Sequence, residues 1–430
     1  MHPNLSFEQV PPISVPYRFF LTAPWFGVAA GLLVALRGEA VFASRWMPET
    51  LAAVHLLVGG FMLQAMSGAL LQFVSVAAGG NIWRPRQVAA LVHPLLVVAP
   101  VLLVAAFLQA GGGLFVAAAY AFALGLGVFV AAVGIAVWRT PATGATILAL
   151  RLALVGLLVT LTLGVVLALG LGQGRTWPLL ALTDVHAAWG LGGWALMLLA
   201  GVAYFVVPMF QLTPPYPARF ARGLPPALGL VLLAWTASLL VFDERARTPL
   251  WLAGLGIGAA FGAVTLHLHA RQRRKVRDVT LDFFRVAMGS LILVWLSACA
   301  FALAPAWGND PRAALWLGTL AILGIFVSSI NGMLYKIVPF LNWLHLQRLC
   351  GVGALPPTMN RMIPESAQRR QCYAHLTALA LALCAVWLNT IAWLAGLALA
   401  ASCAWLGWNL LGAVRVYRDS ARKLQTARHG

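Results

Sequence analysis

The chain has 430 residues, 61% of them hydrophobic and only 9% charged, with a mean hydropathy of +0.87. About a quarter of the residues of a soluble domain carry charge, so this composition excludes a soluble fold. The net charge of +18 suits anionic lipid headgroups, and no nucleic-acid partner is needed to explain it.

Apolar runs of the roughly 20 residues that cross a hydrocarbon core recur along the chain, near 18–38, 51–78, 87–110, 113–138, 146–171, 180–210, 223–242, 249–270, 281–304, 313–342, 372–391 and 393–415. They lack the alternation of barrel strands, and in lipid each backbone amide must be satisfied within its own segment, so every run predicts a helix. The expected fold class is all-α, one integral membrane domain over 1–430 with about twelve transmembrane helices.

With the N-terminus inside, all but six of the 29 basic residues fall in the tails, the even-numbered connections or the adjoining helix ends; the six are Arg37, Arg45, Arg175, Arg245, Arg247 and Arg312. The inner set includes Arg84, Arg86, Arg219, Arg222, the run Arg271, Arg273, Arg274, Lys275 and Arg277, then Arg369, Arg370 and the tail from Arg415 to Arg428. The positive-inside rule then puts both termini in the cytoplasm, which for a bacterial-type chain means an inner-membrane protein. The first sixteen residues are polar and proline-rich, unlike a cleavable signal peptide, so the first span is expected to stay. The five cysteines form no close-spaced metal or redox motif.

The second, sixth and tenth spans share a pattern: a glycine, seven residues, a glycine, six residues, then proline or serine. The copies are Gly60, Gly68 and Ser75; Gly193, Gly201 and Pro208; Gly324, Gly332 and Pro339. Because these spans are four apart, the chain reads as three pseudo-symmetric four-helix units, about 18–138, 146–270 and 281–415. Glycines two turns apart let membrane helices approach closely, and the prolines permit kinks near one end. Such helices suit a central layer around a cavity. Internal repeats also occur in transporters.

Carboxylates are scarce, and none is expected in mid-membrane. Glu39, Glu49, Asp184, Asp243, Glu244 and Asp310 map to the outer face; Glu8, Asp278, Asp282, Glu365 and Asp419 map to the inner. Asp184 is read as a span-boundary residue. The ionisable groups left in the spans are mostly His55, His93, His186 and His375, and intramembrane ionisable residues are functional candidates. His55 opens the second span and His186 the sixth, at similar depth in the outer half, although they sit two residues apart relative to the glycine repeat. Each precedes glycine and methionine at helical spacing: His55, Gly59, Met62 and Met66; His186, Gly190, Gly193 and Met197. A flat macrocycle ligated by histidine needs small residues beside the ligand, which Gly59 and Gly190 supply. That is the physical case for haem. Methionine is a soft ligand that also suits copper, though it more often fills gaps in a core. His93 and His375 enter from the cytoplasmic side, either as an inner ligand pair or as hydrogen-bonding residues. His267, His269 and His345 sit at helix ends, where headgroup contact is expected, and His2 and His429 belong to the tails. Tyr204, Tyr335, Gln72 and Lys336 read either as a polar inner cluster or as an interfacial belt.

The second span, with His55, Gly60, Gly68, Ser75 and Arg84-Pro85-Arg86, resembles the second helix of the catalytic subunit of haem-copper oxidases and nitric-oxide reductases, whose twelve helices form three arcs. The resemblance implies that His55 is a haem ligand and that His186 corresponds in span to a copper or second-metal ligand. The NnrS-type membrane proteins, which bind haem and copper and act in the response to nitric oxide, are similar in size and span number. The histidines of that oxidase family's seventh and tenth helices have no counterpart in the corresponding spans here, so a complete oxygen-reducing centre is not expected.

The function expected is a haem-binding inner-membrane protein, haem alone (of b type) or haem with copper, on a haem-copper-oxidase-like scaffold and linked to respiratory or nitric-oxide metabolism. His55, His186, Gly59 and Gly190 would hold the cofactor, and His55, His186, His93 and His375 are the candidate metal ligands. Expected partners are membrane lipid and either an electron donor or a small gas ligand; no catalytic residue is assigned. The alternatives are a permease built on threefold repeats and an accessory protein carrying haem or copper.

Overall fold

The computed structural model describes residues 11–76, 78–239, 244–273, 278–350 and 356–429. His2, Glu8, Asp243, Arg274, Lys275, Arg277 and the end of the seventh predicted span at 240–242 lie outside the described residues, as do the side chains of Glu244, Arg245, Arg428 and His429.

No strand occurs among the described residues. Among the described residues twelve long helices follow one another: α1 Ser14–Val41, α2 Pro48–Val76, α3 Pro85–Gln109, α4 Gly112–Arg139, α5 Ala145–Gln173, α6 Leu179–Gln211, α7 Ala218–Ser238, α8 Glu244–Ala270, α9 Val279–Leu303, α10 Pro311–Leu349, α11 Glu365–Trp387 and α12 Ala392–His429. Eleven of them are long and apolar enough to cross a membrane, as in a multi-pass membrane protein. The exception is α11, whose first turns carry Glu365, Arg369, Arg370, Gln371 and His375 and leave a shorter apolar stretch.

Two helices run well past their predicted ends. α10 continues through Pro339 to Leu349, and α12 continues to His429. At about 1.5 Å per residue, the 38 residues of α12 outrun the roughly 30 Å of a hydrocarbon core. Its last turns hold Arg418, Arg422 and Lys423, good helix formers that hydropathy alone does not count.

The three helices carrying the glycine repeat are the most buried. Within their apolar windows 72% of α2, 61% of α6 and 61% of α10 are buried, against 50% or less in every other span. Each contains a π-helical stretch: Leu56–Met62, Trp189–Leu196 and Leu320–Val327. Every stretch begins four residues before the first repeat glycine, so the motif and the backbone irregularity share one register. π-helical turns are rare and concentrate at functional sites.

The repeat extends into the preceding helices. A Cβ at Gly60 would lie 2.5 Å from Phe26 of α1, one at Gly156 of α5 would lie 2.2 Å from the Gly193 carbonyl oxygen, and one at Gly324 would lie 2.6 Å from Ser290 Oγ of α9. At the second glycine of each motif the nearest atoms are the Cβ of Phe19 for Gly68, Ala149 for Gly201 and Phe283 for Gly332. In all three helix pairs the partner residue has stepped back seven positions. Glycine is required here because a Cβ would strike the neighbouring helix, its backbone at Gly156 and its side chains at the other five positions. The outer helices continue the pattern, α4 packing on α5, α8 on α9, and α12 back on α1. The last contact is as close as the others: a Cβ at Gly31 would lie 2.4 Å from Ala400 N, and one at Gly396 would lie 2.3 Å from Ala35 N.

At the end of the bundle where α9 begins, Asp278 caps that helix, accepting from Thr280 N at 2.9 Å, and pairs with Lys336 of α10. Arg369 of α11 reaches Glu365 at 2.5 Å and Asp282 at 3.9 Å. Burial works to raise the Asp278 carboxyl, but the Lys336 charge and the bonds from Lys336 and Thr280 outweigh it and hold the group below its ordinary value. A depressed folded value gives stability that is complete above about pH 4 and lost as pH falls through the depressed value. Asp278→Asn is therefore expected to reduce the acid-side loss of thermal stability relative to wild type, measured between about pH 5 and pH 2.

Candidate functional site

A cavity of about 690 Å³ lies at the end of the bundle where α1 stops and α2 starts. Residues of α1 to α6 and of α10 to α12 line it, nearly all apolar. Its size falls within the roughly 300–1,000 Å³ usual for small-molecule and cofactor sites.

His55 and His186 both line this cavity. Their ring centroids are 6.5 Å apart and their planes differ by 17°. The two-residue offset between them in the glycine repeat does not separate them. His55 Nδ1 lies 2.7 Å from the Leu51 carbonyl oxygen, one turn back on α2, and His186 Nδ1 lies 3.0 Å from the Thr160 carbonyl oxygen of α5. A carbonyl only accepts, so each Nδ1 donates its hydrogen, and Nε2 of each neutral ring keeps a free lone pair. Neither Nε2 has a hydrogen-bond partner among the described residues. This is the tautomer and outer support that metal-ligating imidazoles use.

Gly59, Met62 and Met66 line the cavity with His55, and Gly190 lines it with His186. A Cβ at Gly59 would meet nothing closer than Phe122 at 3.5 Å, so that side is open; at Gly190 it would press on Thr160 at 3.3 Å. Gly193 and Met197, grouped with His186 by helical spacing, do not line the cavity. Gly193 packs on Gly156 of α5, and Met197 is buried. The π-helical stretch that holds Gly193 and precedes Met197 changes the phase after His186, so a 3.6-residue period no longer identifies one face.

Two further residues hold His186, and neither stands out in the sequence. Thr160 supplies its backbone acceptor, and Gly164, one turn further along α5, leaves room for the ring: a Cβ there would lie 3.0 Å from His186 Cε1. The repeat carries no signal for either, because the positions equivalent to Thr160 and Gly164 are Ala30 and Val294, and Val34 and Ala298. Gly164→Ala is expected to fold normally and displace the His186 ring by a few tenths of an ångström; should His186 hold a haem, binding would weaken roughly tenfold, the lower range for outer-shell changes. Titration of purified variant and wild type with haem checks this.

His93 and His375 lie elsewhere. His93 Nε2 is 2.9 Å from Thr22 Oγ1, with its ring against Phe19 at 5.1 Å. His375 Nε2 is 2.7 Å from Ser328 Oγ, with its ring against Phe283 at 5.7 Å. Phe19 and Phe283 are the positions that match in the extended repeat, so these two histidines occupy related places and are held by hydroxyl groups. His269, expected at the headgroups, is buried against Phe284 at 6.3 Å, whereas His267 is exposed. His345 Nδ1 donates to the Leu341 carbonyl oxygen at 2.9 Å. Asp184 pairs with Arg45 at 2.7 Å.

Tyr204, Tyr335, Gln72 and Lys336 do not form one cluster. Tyr335 Oη accepts from Asn409 Nδ2 at 2.8 Å, Lys336 pairs with Asp278, and the polar ends of Tyr204 and Gln72 have no hydrogen-bond partner among the described residues.

No protein family matches this sequence, and no curated protein is similar to it.

The site therefore rests on its own chemistry. Among the described residues no group of three or more His, Cys, Asp and Glu gathers as a metal cage. What the cavity offers is two imidazole nitrogens, two thioethers and an apolar enclosure. A macrocycle that brings its own equatorial nitrogens needs only axial ligands from the protein, and two imidazole nitrogens each about 2 Å from a shared metal give ring centroids roughly 6 Å apart. The observed centroid separation of 6.5 Å, with the rings stacked at 17°, matches that requirement in distance alone.

Proposed function

We propose that this chain is a haem-binding protein of a bacterial-type inner membrane, in which His55 and His186 supply both axial ligands to one b-type haem. The observation that carries the reading is the pair of near-parallel imidazoles, 6.5 Å apart across an apolar cavity, each fixed through Nδ1 to a backbone carbonyl. The resemblance to haem-copper oxidases assigned His186 to copper or a second metal; its position beside His55 favours a shared metal instead.

The supporting scaffold is twelve spans in three four-helix units, with α2, α6 and α10 as the inner layer and both termini cytoplasmic. The common register of glycines and π-helical stretches and the ring of helix contacts support the units. The distribution of arginine and lysine supports the orientation. Reporter fusions to either terminus test it, and an outside location would overturn it.

When bound, a haem supplies one-electron redox chemistry. The protein's own contribution is to hold two neutral imidazoles, to keep their tautomers fixed and to exclude water with apolar walls. Were His55 and His186 both to hold it, the chemistry favoured would be electron transfer in respiratory or nitric-oxide metabolism. Proton-pumping oxygen reduction by this chain alone is not expected, because it needs several histidines around a nearby copper.

The deciding experiment is a visible spectrum and metal analysis of protein purified after haem-replete expression. A Soret band with about one iron per chain supports the reading. Bound copper without a Soret band would favour a soft site built from the histidines with Met62 and Met66, which line the same cavity; neither band nor metal would overturn both.

A further inference from the structure

Arg45 carries the one permanent charge among the residues lining the histidine cavity. It lies between α1 and α2, stacked on Trp46 with its guanidinium carbon 4.2 Å from the ring centroid. Its Nη1 donates to Asp184 Oδ1 of α6 at 2.7 Å, and both side chains are partly exposed, at 43% and 37%. Trp46, Thr183 and His186 line the cavity beside it.

Arg45 is charged in a mostly apolar lining, and Asp184, which holds it, does not itself line the cavity. Asp184 uses only Nη1. The other guanidinium donors, Nε and Nη2, make no hydrogen bond within the described residues, and an arginine fork binds carboxylates in two-pronged fashion. Trp46 below and Asp184 at one side fix where those free donors lie. The chain is thereby equipped to hold an anion at the rim of the cavity while the apolar body of the same molecule fills the interior. His55 and His186, ten residues after Arg45 and two after Asp184, tie this rim to the imidazole pair.

We infer that Arg45 is the carboxylate-recognising residue of the cavity, with Asp184 and Trp46 positioning it, and that the ligand is an amphiphile whose flat apolar ring carries carboxylates at the outer rim. The inference deepens the haem reading and rests on it for the ring, but it makes a separate claim about the carboxylate. Hydrogen bonds to charged groups are among the stronger ones, and partial exposure weakens them, so loss of Arg45 should weaken binding roughly tenfold.

The test uses a metal-free porphyrin dicarboxylic acid and its dimethyl ester, titrated by fluorescence into detergent-purified wild type, Arg45→Gln and Arg45→Lys. The acid is expected to bind wild type about tenfold more tightly than it binds Arg45→Gln. The lysine variant should fall between them, because it keeps charge and loses the fork. The ester should bind all three alike. Equal losses for acid and ester would mean that Arg45 only shapes the cavity, and no loss for the acid would mean that it makes no ligand contact; either result overturns the inference. Failure of the axial reading looks different: the acid would still discriminate among the Arg45 variants, while haem would give no Soret change with His55→Ala or His186→Ala. If neither porphyrin binds wild type, the carboxylate assignment falls as well.

Discussion

Replacing His55 by alanine should convert a six-coordinate haem spectrum to a five-coordinate one, and replacing both His55 and His186 should abolish haem retention through purification. The imidazoles face one cavity from α2 and α6, with Nδ1 of each committed to a carbonyl and Nε2 of each left to ligate. Outer-shell partners of a metal ligand alter affinity by about 10–100-fold, so removal of a ligand itself should cost at least about a hundredfold. The single variants carry a second signature. If His55 and His186 both hold the haem, the reduced wild-type protein should not take up carbon monoxide, whereas His55→Ala and His186→Ala should each do so. Stoichiometric carbon monoxide binding by wild type would show that the two rings do not share an iron. A spectrum unchanged in position and intensity in both single variants would remove the site altogether.

Much of the architecture was legible because the bilayer imposes strong rules. Span-length apolar runs and their separating polar connections predicted eleven of the helices to within a few residues at most ends. α11 is the weaker case, since Arg369, Arg370, Gln371 and His375 occupy its first turns. The repeat glycines were legible for a similar reason: close helix approach selects glycine wherever a Cβ would strike a neighbour, as at Gly60, Gly193 and Gly324. What spacing could not supply was rotation. The three π-helical stretches reset the phase of α2, α6 and α10, so Met197 leaves the face that holds His186 even though eleven residues is close to three α-helical turns. Nor could it supply partners from other helices. Thr160, Gly164 and Arg45 matter through backbone acceptance, vacant volume and a tertiary ion pair, none of which leaves a local pattern. For the histidines, position in a span was informative about depth, but only tertiary contacts distinguish His55 and His186, with free Nε2 atoms on a cavity, from His93 and His375, whose Nε2 atoms meet hydroxyl groups.

The crossing of α5 and α6 at Gly156 couples fold to site, and Gly156→Ala should damage both. A methyl group there would lie 2.2 Å from the Gly193 carbonyl oxygen, 2.3 Å from its carbon and 2.9 Å from Trp194 N. These are backbone atoms, so no side-chain rotation relieves the overlap, and the helices must part. Overpacking of this kind costs about 1–3 kcal/mol and occasionally more; because all three close contacts are backbone atoms of α6, Gly156→Ala should fall near the upper end, about 3 kcal/mol. The displacement will not stay local. Thr160, one turn along α5, supplies the carbonyl that fixes His186, and Gly164, a turn further, faces the ring itself. Haem affinity should therefore fall together with the thermal midpoint in Gly156→Ala, whereas Gly164→Ala should lower affinity at nearly unchanged midpoint. Gly289→Ala provides the control, because a Cβ at Gly289 meets nothing within 4 Å and alanine is the better helix former by about 1 kcal/mol. A Gly156→Ala protein as stable as Gly289→Ala, with wild-type haem affinity, would show that the α5–α6 crossing neither limits stability nor positions His186.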